Sequence, residues 1–226
     1  MEGQYSGVDI LESLESAHNY NDYLTRLIRG SAESTDLIDF GAGIGTFSKR
    51  LRTAGYNVKC VEPDPVQRRR LEEQGFDTFE NITAVADNSA SFVFSLNVFE
   101  HIRDDSVALR EIRQKLKSGG VLLIYVPAFA CLWTWLDEKV CHHRRYTKKT
   151  LRRLVEQEGF VVEDARYADS LGFIATFVFR LLNKNVSALT ATSISFYDKW
   201  LFAPSRVLDR LFGRWFGKNV YVRCRK

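Results

Sequence analysis

Short apolar runs alternate with amphipathic segments along most of the chain. The apolar runs, bounded by turn-forming residues, predict buried strands at 36–40, 57–63, 76–80, 91–99, 121–127, 161–168 and 219–226. Apolar residues at helical spacing predict helices at 8–29, 46–55, 66–75, 104–120 and 147–160. Alternation of this kind favours an α/β fold with a mostly parallel sheet and helices on both faces.

Three glycines follow the first predicted strand, in the stretch DFGAGIGTF that begins at Asp39. Gly41, Gly43 and Gly45 lie in the turn into a helix, where the missing side chains permit tight dihedrals and close approach of a ligand. Glu62 ends the second strand, at the same edge of the sheet as Asp39. A carboxylate there can accept both hydroxyls of a ribose, so the pattern predicts a nucleoside-containing cofactor.

Composition narrows the class of protein. With 226 residues and 45% apolar content, the chain can bury the core of one domain, and its formal charge of +4 favours no partner by itself. The four cysteines are scattered without a CxxC pair, so we expect reduced thiols and no metal. The amino-terminal stretch lacks the order of a signal peptide, and the longest apolar run, 171–182, is shorter than the roughly 20 residues that span a bilayer.

The order of the glycines separates two classes of cofactor. The nicotinamide fingerprint GxGxxG would require a third glycine where Thr46 stands. Instead, the motifs DFGAGIG, VEPD, NVFEHI and LKSGGVLLIYVP together resemble those of class I S-adenosylmethionine-dependent methyltransferases. The resemblance covers roughly residues 36–165. It implies a Rossmann-like fold with a seven-stranded, mostly parallel sheet, helices on both faces and a carboxyl-terminal helical insertion.

The same resemblance implies S-adenosylmethionine as the cofactor and S-adenosylhomocysteine as the product. In this family, the acid and glycine turn after the first strand hold the methionine moiety. The acid after the second strand binds the ribose, its neighbour flanks the adenine, and two residues after the fourth strand line the cleft beside the sulfonium. The matching residues, in that order, are Asp39, Gly41, Ala42, Gly43, Gly45, Glu62, Pro63 or Asp64, Asn97 and Val98.

A closer resemblance lies outside these motifs. The stretches AHNYNDYL and WLDEKVCHHRRYT resemble a subgroup of these methyltransferases with the patterns YNxW and LDxxxGHxRRYT, often found in glycan or lipid-linked sugar pathways. Tyr23 replaces the tryptophan and Cys141 replaces the glycine. In such enzymes the early segment folds over the cofactor, which would bring Tyr20 onto it; packing of Tyr20 into the helix stripe is the alternative.

The stretch HHRRYT, after the fifth strand, combines two histidines with two arginines. Such charges repel one another unless an anion or nearby carboxylates offset them. Arginine binds phosphate or carboxylate bidentately, and histidine exchanges a proton near neutral pH. We therefore expect an acceptor with acidic, phosphate or sugar groups, and pairing with the acids of WLDEK is the alternative. The candidates are His142, His143 and Tyr146 for catalysis, and Arg144, Arg145 and Tyr146 for acceptor binding.

His101 is a further catalytic candidate because it follows the fourth strand, close to the expected methyl group. There it could deprotonate an acceptor hydroxyl. A structural role of Glu100 and His101, through hydrogen bonds at the strand end, is the alternative.

The carboxyl-terminal quarter is rich in aromatic and basic residues, with eight Lys or Arg against one acid from Lys199 onward. Such a segment can lie on an anionic membrane surface, hold a lipid-linked acceptor, close a lid or contact a second subunit. We therefore divide the chain into a helical cap at 1–34, a cofactor-binding core at 35–168, this insertion at 169–218 and a last strand at 219–226.

These patterns together predict an enzyme that transfers a methyl group from S-adenosylmethionine to oxygen or nitrogen of a small acidic, phosphorylated or glycosylated acceptor. The alternatives are a membrane-associated binding module with a vestigial nucleotide cleft and a nicotinamide-dependent reductase. We expect a small-molecule or lipid-linked acceptor, no nucleic acid, and a monomer or homodimer. The expected location is the cytoplasm, with the inner membrane surface as an additional site.

Overall fold

The computed structural model describes residues 15–181 and 195–226. Leu11, Leu14 and Leu182, which the sequence predicts on apolar helix stripes, lie outside these ranges. The seven strands are β1 (Asp36–Phe40), β2 (Asn57–Val61), β3 (Asp77–Phe79), β4 (Ala90–Leu96), β5 (Leu116–Pro127), β6 (Val161–Ala168) and β7 (Asn219–Arg225). Their order is β3-β2-β1-β4-β5-β7-β6, and only β7 is antiparallel to its neighbours. The predicted seven-stranded, mostly parallel sheet is confirmed.

Helices cover both faces of the sheet. The described α-helices are α1 (His18–Ser31), α2 (Thr46–Thr53), α3 (Pro65–Glu73), α4 (Asp105–Lys115), α5 (Trp135–Lys139), α6 (Lys148–Gln157), α7 (Ser170–Leu181) and α8 (Ala203–Phe212). Apolar side chains of α1, α2 and α3 pack with Phe92 and Phe94 of β4, whereas those of α4 and α6 pack with Val93 on the opposite face. Successive residues of β4 point to opposite faces, so the strand is apolar throughout.

Three predicted boundaries are wrong. The helix predicted at 8–29 is interrupted at Ser16 and Ala17, and α1 begins at His18. The helix predicted at 104–120 ends at Lys115, because Leu116 begins β5 and pairs with Ala90 of β4. The glycines of LKSGG therefore lie inside a strand, where a Cβ on Gly120 would come within 2.9 Å of a backbone carbonyl oxygen. The fourth strand ends at Leu96, before the predicted residue 99, since the next residue adopts a left-handed conformation.

The carboxyl-terminal insertion lies between β6 and β7 and consists, in its described part, of α7, a π-helical turn (Asp198–Phe202) and α8. Two of its carboxylates hold its parts together. Asp169 Oδ1 accepts hydrogen bonds from the Tyr197 hydroxyl at 2.5 Å and the Ser205 hydroxyl at 2.9 Å. Asp209 accepts the backbone amide of Asp169 at 2.9 Å. These hydrogen bonds join the start of α7, the residue before the π-helical turn and α8 to one another.

Asp198 joins this insertion to the amino-terminal helix. Its carboxylate accepts the backbone amides of Asn19 and Tyr20, each at 2.8 Å, and thereby caps the first turn of α1. The residue before that helix, Ala17, has no side chain that could do so. Within the described ranges, no helix has the length and apolar composition needed to cross a bilayer.

Candidate active site

The glycine turn lies between β1 and α2, and all three glycines have positive φ angles, +84° for Gly41, +56° for Gly43 and +81° for Gly45. Space is also restricted. A Cβ on Gly41 would come within 2.3 Å of Val98 Cγ2, and one on Gly45 within 2.7 Å of Leu71 Cδ2. Only glycine fits both the dihedral angles and the space, as the sequence predicts for this turn.

Backbone amides of the turn are bonded to the end of β2. The amides of Gly41 and Ala42 donate to the Val61 carbonyl at 2.8 and 3.2 Å. The amide of Gly43 donates to Glu62 Oε2 at 2.7 Å, and the other carboxylate oxygen accepts the amide two residues further along the chain at 2.9 Å. Burial raises the pKa of Glu62, and these backbone donors oppose that shift. The turn and the Glu62 carboxylate therefore form one unit.

Asp39 lies beneath this unit. Its Oδ2 accepts the Ser48 hydroxyl of α2 at 2.6 Å, so the carboxylate points toward the helix and fastens it to β1. Burial raises the pKa of Asp39 to about 7, opposed by the Ser48 hydrogen bond and assisted by the charge of Glu62. The Asp39 carboxyl therefore takes up a proton more readily than an exposed aspartate does.

Tyr20 and Asn97 meet above the carboxyl ends of β4 and β5. The Tyr20 ring packs edge-to-face on Tyr125 and Phe202, with centroids 6.3 and 5.4 Å apart, and its hydroxyl is hydrogen-bonded to Asn97. Burial raises the pKa of Tyr20 well above its usual range. Glu15, the first described residue, contacts the helix that follows the glycine turn, since its Oε1 accepts a hydrogen bond from the Thr46 hydroxyl at 3.3 Å. Glu15 and Tyr20 therefore lie near the edge where the cofactor is expected.

The arginines of HHRRYT are engaged by the protein itself. Arg145 binds the buried carboxylate of Asp137 bidentately, at 2.7 and 3.0 Å. Arg144 pairs with Asp105 at 2.7 Å, and not with the acids of WLDEK that the sequence offered as partners. The Tyr146 hydroxyl donates to Asp105 at 2.8 Å, and the side chain is buried. These three residues therefore fix the loop, and their predicted contacts with an acceptor gain no support from the geometry.

The histidines are arranged differently from the arginines. The rings of His101 and His142 stand 4.6 Å apart in an edge-to-face arrangement, while His143 is exposed. His142 Nδ1 lies 2.8 Å from Asp137 Oδ1, and Nε2 lies 3.8 Å from Glu100 Oε1. Burial, assisted by His142, lowers the pKa of His101 to about 4. At neutral pH His101 is uncharged and a weak base, less suited to abstract a hydroxyl proton than the sequence suggests.

Three further residues organise the site; the sequence offered two of them, Glu100 and Asp137, only as alternatives in structural roles. Glu100 is fully buried, and burial raises its pKa to about 8, opposed by the Arg145 charge. Asp137 orients both His142 and Arg145, which lie five and eight residues further along the chain. This spacing alone does not predict that the three side chains meet. Asp198 acts on residues 178 or more positions away, for which the sequence carries no signal.

The sheet order and the glycine turn with its paired carboxylate define the fold of class I S-adenosylmethionine-dependent methyltransferases. Residues 4–165 match the family model of a methyltransferase domain, so the chain belongs to that family. The predicted family and fold are thus confirmed.

Known proteins with similar sequences or structures include several methyltransferases. The 2-methyl-6-phytyl-1,4-hydroquinone methyltransferase of Synechocystis sp. is 27% identical over 54% of this chain and 40% of its own length. An uncharacterized methyltransferase of Bacillus cereus is 29% identical over 55% of this chain and 60% of its own length. The chain thus spans about half the length of these relatives. A methyltransferase structure from Thermotoga maritima has a TM-score of 0.64 at 16% identity, covering 97% of this chain and 96% of that one.

Proposed function

We propose that this protein transfers the methyl group of S-adenosylmethionine to an oxygen or nitrogen of an acceptor bound at the carboxyl edge of β1, β2, β4 and β5. The acceptor's lone pair forms the new bond to carbon while the carbon–sulfur bond breaks and its electron pair stays on sulfur. The acceptor releases a proton, and S-adenosylhomocysteine remains. Alignment of the acceptor with the methyl group supplies most of the rate in such a transfer.

The observation that carries this proposal is the unit formed by Glu62 and the glycine turn. The Glu62 carboxylate binds the ribose hydroxyls, and exposed Pro63 flanks the adenine. The methionine moiety lies against the main chain at Gly41 and Gly43, both of which have positive φ angles. A Cβ on Gly41 would push against Val98, which lines the cleft. Asp39 acts through the helix that it fastens. Asn97 and Val98 line the cleft beside the sulfonium.

We further propose that the acceptor is lipid-linked. Among the described residues, all but three of the exposed large apolar side chains lie in the carboxyl-terminal insertion, including Trp200 and Trp215, which are 61% and 65% exposed. Large apolar patches on a monomer mark interaction sites. Basic residues such as Lys199, Arg210 and Arg214 accompany them, as expected of a surface that contacts anionic lipid. The acceptor's apolar part rests on this surface while its polar group enters the cleft.

The test of the cofactor assignment is calorimetric titration with S-adenosylhomocysteine. We expect saturable binding by the wild-type protein and a loss of affinity of about 10-fold or more in Glu62→Gln, since hydrogen bonds to a charged group contribute roughly 1.5–3 kcal/mol. Glu73→Gln, an exposed carboxylate change on α3, is the matched control and keeps wild-type affinity. Absence of binding to the wild-type protein would indicate the vestigial cleft instead.

The test of the acceptor class uses methyl-labelled S-adenosylmethionine with separate lipid and water-soluble cell extracts. We expect label in the lipid extract. Label confined to a water-soluble compound would refute the lipid-linked acceptor and leave the methyl transfer itself in place.

A further inference from the structure

Glu100, His101 and His142 bring one carboxylate and two imidazoles to a single point. One ligand atom from each residue lies within 4.8 Å of the corresponding atoms of the other two. His142 Nε2 and Glu100 Oε1 are 3.8 Å apart, which is too long for a hydrogen bond. Two ligands each about 2.1 Å from a shared ion lie roughly 3.0 to 4.2 Å apart, depending on the angle between them. The separation therefore suits a bridging cation.

Both imidazoles are oriented as metal-binding histidines are. The Nδ1 atom of His142 is bonded to Asp137, and the His101 ring is hydrogen-bonded to the Val140 carbonyl. A histidine that binds a metal through one nitrogen usually donates its other ring N–H to a carboxylate or backbone carbonyl, which fixes the tautomer. Here each ring has such an acceptor on one nitrogen, Asp137 for His142 and the Val140 carbonyl for His101.

Glu100 supplies the strongest observation. Its side chain is fully buried, yet apart from a contact with its own backbone amide neither carboxylate oxygen has a hydrogen-bond partner within residues 15–181 and 195–226. Burying a carboxylate without a hydrogen bond or a cation costs several kcal/mol. The arginine of this loop, Arg145, is held by Asp137. A divalent cation between Glu100 and the two histidines would offset the cost.

We propose that Glu100, His101 and His142 form a binding site for a divalent transition-metal ion of the zinc, cobalt or manganese class. Two imidazoles and one carboxylate suit these ions better than magnesium, which prefers oxygen ligands. The cysteine spacing that argues against a metal in the sequence does not bear on this nitrogen and oxygen set. His101 and His142 are only partly buried, which gives an ion a route from solvent.

Three protein ligands leave coordination positions for an acceptor. The site follows β4 directly, three residues from Asn97, and so lies beside the expected methyl group. Resting on the proposed methyl transfer, the ion's role is to bind the acceptor's hydroxyl, lower its pKa so that its proton leaves to solvent, and orient the resulting oxygen toward the methyl carbon.

The experiment is titration of the EDTA-treated, dialysed protein with Zn²⁺ and Mg²⁺ by calorimetry and with Co²⁺ by visible absorption. The variants are Glu100→Gln and His142→Ala, and the matched control is His143→Ala, the exposed neighbour. We expect tight Zn²⁺ binding, a cobalt absorption band and weak Mg²⁺ binding in the wild-type protein and the control. We expect a loss of Zn²⁺ affinity of about 100-fold or more, and of the cobalt band, in both ligand variants.

Thermal unfolding and S-adenosylhomocysteine binding of each variant show whether it is folded. Absence of saturable Zn²⁺ and Co²⁺ binding to the wild-type protein would overturn the metal site, as would equal affinity in all variants. Methyl transfer that persists unchanged in EDTA would overturn the catalytic role of the ion while the methyltransferase assignment stands. Failure to bind S-adenosylhomocysteine would count against the proposed function alone, because metal titration does not depend on it.

Discussion

Replacing Gly41 with alanine tests the close packing of the glycine turn, and Gly55 provides the matched control. Both glycines have nearly the same φ angle, +84° for Gly41 and +88° for Gly55. A Cβ on Gly41 would come within 2.3 Å of Val98 Cγ2, whereas one on Gly55 would meet no atom within 4 Å. The pair of variants therefore separates the cost of the dihedral angle from the cost of the collision.

The expected losses in the free energy of unfolding follow from these two terms. An alanine in the left-handed region costs roughly 1–2 kcal/mol, and both variants lose this amount. Overpacking adds about 1–3 kcal/mol, and only Gly41→Ala loses it. The double variant Gly41→Ala/Val98→Ala removes the colliding methyl groups, so we expect part of the additional loss to be recovered.

Urea unfolding measures these stabilities, and calorimetry with S-adenosylhomocysteine measures the effect on the site. We expect Gly55→Ala to bind the product as the wild-type protein does. In Gly41→Ala, the added methyl group displaces Val98, which lines the proposed cleft beside the sulfonium. We therefore expect affinity to fall by about 10-fold or more, equivalent to 1.4 kcal/mol. Equal stability of the two variants would refute the packing argument. Unchanged affinity in Gly41→Ala would refute the placement of the cofactor against this turn.

Three further measurements test other parts of the structure. Because burial raises the pKa of Asp39 to about 7, from an unfolded value near 3.9, the folded state holds this proton more tightly, and the free energy of unfolding should fall as pH rises from about 4 to about 7. Asp39→Asn should lose this component of the slope in urea unfolding between pH 5 and 8. Arg145→Ala removes the guanidinium from the buried Asp137 carboxylate, which keeps only its contacts with Thr134 and His142, and should cost about 3–5 kcal/mol of unfolding free energy. Arg144→Ala breaks a partly exposed pair and should cost about 1 kcal/mol or less, and equal losses would contradict the assignment. The double variant Trp200→Ala/Trp215→Ala should sediment with anionic lipid vesicles at least about 10-fold more weakly than the wild-type protein, and retained binding would exclude this surface as the contact.

Local patterns predicted most of the fold because central strands such as β4 are apolar on both faces and many turns are marked by glycine. The rule that glycine ends a helix gave the wrong boundary at Gly119 and Gly120. The helix ends earlier because Leu116 pairs with Ala90 in the sheet. The end of β4 also differs from the prediction. The left-handed conformation of Asn97 ends β4 before the apolar run does.

The sequence predicted those site residues that directly follow a strand, but not the contacts between distant segments. The acids and glycines at the ends of β1 and β2 follow from the strand pattern. Internal pairing of Arg145 with Asp137 was one of two readings, and only the buried position of Asp137 decides between them. Contacts made by Asp105 and Asp198 join segments far apart in the chain, and neither spacing nor composition encodes them.

Asp198 connects the carboxyl-terminal insertion to the amino-terminal helix α1. Its carboxylate belongs to the segment proposed to meet lipid, and it holds the first turn of the helix whose Tyr20 lies over the strand ends. A ligand that displaces the π-helical turn would therefore also loosen the first turn of α1, including Tyr20, above the proposed cofactor site. We therefore expect the rate of S-adenosylhomocysteine release to change when lipid binds the insertion. Membrane binding and turnover would then be coupled through the Asp198 carboxylate.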